Sequence, residues 1–67
     1  MRHNMRAERA RKGYTVNQAA QKVGVATNTY FRWEHGLSVP SAVSVVALSK
    51  LYGVTAEYLL DESHTPN

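Results

Sequence analysis

The chain has 67 residues, no cysteine, 43% hydrophobic and 19% charged residues, and a formal net charge of +3 with a pI near 9.6. That length allows one domain, the composition excludes a disordered chain, and the lack of cysteine excludes disulfides and cysteine-held metals. No apolar run approaches the ~18 residues of a membrane span, and the polar start Met1-Arg2-His3-Asn4 is not a signal segment, so a cytoplasmic location is expected.

Helical spacing and helix punctuation recur along the chain, and no strand-like alternation runs far. The first predicted helix runs from about Arg2 to Lys12 and stops before Gly13. Arg9, Arg11 and Lys12 in its last turn complement the negative end of the helix dipole. The second opens on Thr15 with Gln18 three residues later, a capping box in which each side chain satisfies a free backbone amide. Val16, Ala19, Ala20 and Val23 follow at helical spacing, and Gly24 ends the helix. A short link, Gly24 to Ala26, leads into the third, Thr27 to His35, closed by Gly36. Its Tyr30 and Trp33 share one face; Thr27, Asn28, Phe31 and Arg32 fall largely on another. Pro40 and Ser41 restart the chain, and Val45, Val46, Leu48 and Leu51 build a fourth helix that stops at Gly53. Thr55 caps a short fifth helix carrying Glu57, Tyr58, Leu59 and Leu60. The expected organisation is one domain over residues 1–61 and a mobile tail over 62–67.

Charge divides the chain. Residues 1–36 carry seven Lys/Arg against Glu8 and Glu34, whereas residues 37–67 carry Lys50 against Glu57, Asp61 and Glu62. A basic half suits a polyanion; its bland alternative is a solvated surface. Two short helices joined by a glycine-containing turn are the unit that places its second helix in a DNA groove.

The stretch Arg9 to Thr15, then Ala19-Ala20 to Val23-Gly24-Val25, then Trp33-Glu34 with Gly36, resembles the Cro/repressor-type (XRE-like) helix-turn-helix family of phages and bacteria. Pro40-Ser41 and the run from Leu51 to Leu60 extend the resemblance over nearly the whole chain. It implies an all-α, compact five-helix, lambda-repressor-like DNA-binding domain, with the second and third helices as the helix-turn-helix. It also implies a partly buried ion pair between Arg9 and Glu34, of the two-toothed kind. The chain departs from the family where Ala19 replaces a Leu and Tyr30 a medium aliphatic, one shrinking as the other grows. Val16 stands where a phosphate-clamping Gln is usual, leaving only its backbone N–H. Leu37-Ser38-Val39 is neutral where basic residues are common; Arg2, Arg6, Arg11 and Lys12 compensate if they point at DNA.

On this reading the base-contacting residues are Thr27, Asn28 and Arg32, with Thr29 and Phe31 second. Arg can bond guanine O6 and N7, Asn can bond adenine N6 and N7, and a Thr or Phe side chain can pack on a thymine methyl. Phe31, on the face opposite Tyr30, wants burial in the core, a partner or a groove. Phosphate contacts are expected from Thr15, Val16, Asn17 and Gln18, and from Arg11. Thr15 and Gln18 read equally well as caps, and Lys22 as a solvated residue. Dimerisation follows from need: one short helix reads few base pairs, and a two-fold pair reads half-sites about 34 Å apart. Leu37, Tyr58, Leu59 and Leu60 are the expected interface, with at least one of Tyr58, Leu59 and Leu60 turned to the core. A monomer that dimerises only on DNA fits as well. His3, His35 and His64 lack metal-ligand spacing, and no phosphate-cradling glycine loop or catalytic constellation is present, so no cofactor, metal or enzymatic activity is expected. The expected function is sequence-specific binding of double-stranded DNA as a transcriptional regulator, most simply a dimeric repressor on a palindromic operator. The alternative is an antitoxin-type or other protein-partner module on the same fold.

Overall fold

Capping residues and glycines set the helix limits in the computed structural model, which describes residues 1–62. The order is α1 (His3–Lys12), α2 (Val16–Val23), α3 (Thr27–Glu34), α4 (Ala42–Tyr52) and α5 (Ala56–Leu60). Among the described residues there is no strand. Thr15, Ser41 and Thr55 each accept a backbone amide from the first turn of α2, α4 and α5. At Thr15 the bond is reciprocated: the Thr15 amide donates to Gln18 Oε1 at 2.9 Å, and the Gln18 amide to Thr15 Oγ1 at 3.0 Å. α3 has no such side chain at its start; Ala26 precedes it. Gly24, at φ +77°, reverses the chain after α2, and its amide and that of Val25 satisfy the last carbonyls of the helix.

Eight side chains form the buried core: Met5, Ala19, Ala20, Tyr30, Trp33, Leu48, Tyr52 and Leu59. Every helix supplies at least one of them. Ala19 and Ala20 give α2 a flat inner face against which α3 sets its two large rings. Tyr30 and Trp33 meet edge to face, with centroids 6.1 Å apart. A buried phenol needs a partner, and the Tyr30 hydroxyl has one in Tyr52 Oη at 2.6 Å. Burial, and then that bond, hold the Tyr30 phenol far above its ordinary range, so it stays a neutral hydroxyl. α4 is apolar around most of its circumference and buries only part of it. Val43 and Val46 remain exposed.

Three charged side chains enter the interior: Arg2, Glu8 and Glu34. Glu34 closes α3 and is grasped by Arg9 of α1 through two bonds, Nε to Oε2 at 2.6 Å and Nη2 to Oε1 at 3.2 Å. Arg9 Nη1 also donates to the Tyr14 carbonyl. The bond to Glu34 raises the Arg9 pKa further, so the guanidinium stays charged. Glu8 accepts two bonds from Arg11 and one from the Tyr58 hydroxyl, joining α1 to α5.

Leu59 is the residue of α5 that turns to the core, and it leaves the expected interface. It is fully buried in the core and belongs to no surface. Successive residues of a helix point about 100° apart, so only one of Tyr58, Leu59 and Leu60 can point straight into the core; the register chooses Leu59 and leaves Leu60 half-buried beside it. Of the expected tail, Glu62 is bonded to Arg2, and residues 63–67 lie outside the described residues.

Two predictions follow from the interior charges. The side chain of Glu34 is 2% exposed and that of Arg9 17%, so the two partners are not equivalent. Arg9→Met strands a buried carboxylate and should cost about 3–5 kcal/mol. Glu34→Met leaves a cation with a route to water and a remaining acceptor, and should cost less. Urea unfolding of both variants checks this; equal losses would contradict the placement of Glu34. Glu8 titrates below its ordinary value because Arg11 bonds its carboxylate, and Tyr58 adds to the effect. A carboxylate lowered in this way stabilises the fold above its unfolded pKa, near 4.5, and that stability fades as pH falls through the lowered value. Glu8→Gln should therefore be less stable than wild type at pH 7, with the difference shrinking below pH ~4.5.

Candidate nucleic-acid interface

One side of α3 is consumed by the core and the other is left open. Tyr30, Trp33 and Glu34 are buried, while Thr27, Asn28, Phe31 and Arg32 are exposed and Thr29 is half-buried at the edge. Phe31 is 41% exposed, which removes the core reading for it. Its ring lies against His35, centroids 4.0 Å apart and planes inclined by 31°. The two rings make an aromatic plate on the outer surface toward the end of α3. Beside it, Arg32 makes one long hydrogen bond, Nη2 to the Leu37 carbonyl at 3.3 Å, and its other donors are unengaged among the described residues.

The start of α2 comes to the start of α3. Thr27 Oγ1 donates to Asn17 Oδ1 at 2.6 Å, across the turn. This exposed bond links the two helix starts and leaves the Asn17 amide hydrogens free to donate. The Thr27 oxygen remains an acceptor. Gln18 uses only its Oε1 in the capping box, so its amide group is likewise available. The Asn17–Thr27 bond thus brings the exposed start of α2, Asn17 and Gln18, to the exposed side of α3, Thr27, Asn28, Phe31 and Arg32. The Asn17–Thr27 bond had no signal in the sequence, since ten residues separate the partners.

Other expected residues are placed differently. The Val16 side chain packs against the core and offers the ridge nothing but backbone. Arg11 is bonded to Glu8, at 2.6 and 2.9 Å, and to the Tyr52 carbonyl at 3.4 Å. These bonds draw it toward the seam of α1 with α4 and α5, while its side chain stays 59% exposed. Arg2 does not point outward at all; it is buried. Arg6 and Lys12 are exposed. Lys22 is more than a solvated residue: its ammonium lies 5.6 Å from the centre of the Tyr14 ring, beside Gln18 and Gln21 in a shallow hollow. Among the expected interface residues, Leu37 and Tyr58 are exposed and Leu60 is half-buried against the core.

Among the described residues no three His, Cys, Asp or Glu side chains gather to hold a metal ion. No helix there is long and apolar enough to cross a membrane.

Residues 5–59 match the family model described as Helix-turn-helix. The chain is 32% identical over 56 residues to the HTH-type transcriptional regulator ImmR of Bacillus subtilis, covering 84% of this chain and 44% of that protein. It is 33% identical over 57 residues to the cryptic phage CTXphi transcriptional repressor RstR of Vibrio cholerae, covering 85% and 51%. A third relative, the uncharacterized HTH-type transcriptional regulator YobD of Bacillus subtilis, is 32% identical over 53 residues, covering 79% and 47%. The chain thus spans about half the length of the curated relatives it matches. No solved structure gives a significant match.

The Phe31–His35 plate makes a direct prediction. An imidazole proton held over a benzene ring is shielded, so at least one His35 ring proton should resonate upfield of its random-coil position. Phe31→Leu should abolish that displacement while leaving the Trp33 indole resonance in place. An unshifted His35 in the wild type would contradict the stack.

Proposed function

Because the chain belongs to the helix-turn-helix family, we propose that it binds double-stranded DNA and regulates transcription, with α3 laid in the major groove. The observation that carries this reading is the division of α3: Tyr30, Trp33 and Glu34 are buried, while Thr27, Asn28, Phe31 and Arg32 stand exposed on the opposite side. Base edges are read by such side chains, and phosphates by amide-bearing groups at the start of α2. In this reading Arg32 and Asn28 bond base edges, Thr27, Thr29 and Phe31 pack on or bond beside them, and Thr15, Asn17 and Gln18 address the backbone. The relatives are named as transcriptional regulators, one of them a phage repressor, and repression by occupancy is the simplest mode. None of the three is named as an enzyme. A cytoplasmic location accompanies a protein that acts on DNA.

Two copies on a palindrome supply the length of sequence that one α3 cannot. Half-sites about 34 Å apart place both recognition helices on one face of the duplex. Tyr58, Leu60 and Leu37 are the available contact residues between copies. A second reading, a module that binds a protein partner, draws on the exposed Leu37, Val39, Val43 and Val46.

Selection from a random duplex library separates these readings. Wild type should enrich a palindromic sequence that persists at near-physiological salt. Arg32→Ala should lose discrimination at one base pair per half-site by about 1–3 kcal/mol, roughly 5- to 150-fold. Weak binding that enriches nothing and vanishes as salt rises would leave only charge attraction and turn the search to a protein partner.

A further inference from the structure

Arg2 precedes the first residue of α1, in a run of sequence that looks solvated, yet it is the largest of the fully buried side chains, at 1% exposure. Its Nη1 donates to the Trp33 carbonyl at 2.5 Å and to the Ser38 carbonyl at 2.7 Å. Its Nη2 donates to Glu62 Oε2 at 3.2 Å, and its backbone amide donates to the Glu34 carbonyl at 2.7 Å. One residue therefore holds the end of α3, the loop from α3 to α4, and the chain just after α5. The loop is packed closely beneath it: a Cβ on Gly36 would stand 3.0 Å from Glu62 Oε1 and 3.5 Å from the Met1 nitrogen.

As a device for stability this is a poor choice. The balancing carboxylate of Glu62 is 51% exposed, so its attraction is weakened by solvent. Arg2 Nε is buried with no partner among the described residues. An apolar side chain of similar volume would fill the same space without those costs. What it would not do is tie two carbonyls five residues apart to one rigid planar group. That tie fixes the ends of the loop between Trp33 and Ser38. The loop contains Leu37, whose carbonyl accepts a bond from the Arg32 guanidinium at 3.3 Å.

We propose that Arg2 is a positioning residue for base reading: it pins the 33–38 loop and, through the Leu37 carbonyl, sets the direction of the Arg32 guanidinium, with Glu62 holding its charge in place. This rests on Arg32 reading a base. Arg2 itself touches no DNA, and its substitution alters what Arg32 can discriminate.

The test is a double-mutant cycle on DNA, at a temperature where every variant is folded by circular dichroism. The wild-type site is first selected, and the base pair read by Arg32 is identified as the one whose preference Arg32→Ala loses. Arg2→Met should lose at least about ten-fold in preference at that base pair, the scale of one two-bond base contact, and keep its preferences elsewhere. Arg2→Met combined with Arg32→Ala should be no worse at that position than Arg32→Ala alone. Arg2→Lys, which keeps the charge but not the planar fork, and Glu62→Gln should each show a smaller loss at the same base pair. These two carry the test if Arg2→Met does not fold. A lower melting temperature with wild-type preferences at every base pair would overturn the proposal and leave Arg2 as a plug. So would a loss spread evenly over all positions and additive with Arg32→Ala. A wild type that selects no sequence would sink the base-reading premise itself, whereas intact selection untouched by Arg2 or Glu62 variants sinks only the positioning role.

Discussion

Everything α3 presents to the outside depends on how its last residue is held. Glu34 offers a buried carboxylate to Arg9 near the end of α1 and a backbone carbonyl to the amide of Arg2 just before its beginning. The first helix thus grips the third by the same residue at both of its ends. A hydrophobic contact could slide or rotate under load, but a two-toothed carboxylate bond fixes angle as well as distance. With that angle set, Tyr30 and Trp33 point inward and Asn28, Phe31 and Arg32 point outward, because the 3.6-residue period leaves no other choice.

The core then has to accept a tyrosine where space is short. Two adjacent alanines on α2 provide the room, and Tyr52 of α4 supplies the partner for the hydroxyl. The Tyr30–Tyr52 bond thereby makes α4 a second brace for α3, placed at mid-helix where the Glu34 clasp cannot reach. Tyr52 also accepts Arg11 through its carbonyl, and Arg11 in turn holds Glu8 and, through it, the hydroxyl of Tyr58. Polar bonds inside so small a protein are thus arranged as a chain from α5 to α3. Each is partnered by a charged or buried group, the context in which such bonds count most.

Much of this was legible before any coordinates. Gly13, Gly24 and Gly53, with Thr15, Ser41 and Thr55, mark helix ends by local chemistry, and local chemistry is what a sequence displays. The Arg9–Glu34 pair was legible only through resemblance, since nothing in the spacing of residues 25 apart announces a contact. Arg2 was misread for the same reason: its partners lie 31, 36 and 60 residues away, and a lone arginine among polar neighbours gives no sign of burial. The bond between Arg11 and Glu8 is a different case. Glu8 stands three residues before Arg11 on the same helix, a spacing at which opposite charges meet, and the pair could have been named. Leu59 required the rotation of α5 about its own axis, which three consecutive apolar residues in a five-residue helix do not define.

The Asn17–Thr27 bond has a consequence for how such a protein diverges. Asn28, Phe31 and Arg32 owe little to the interior, so each can be exchanged for another side chain with small effect on folding, and under the proposed function the preferred ligand would drift one letter at a time. Thr27 is not free in that sense. Its hydroxyl is half of a joint between two helices, and a new residue there calls for a matching change at Asn17. Retargeting at this corner of the surface is a two-step move, and lineages that have made it should differ at both positions or at neither.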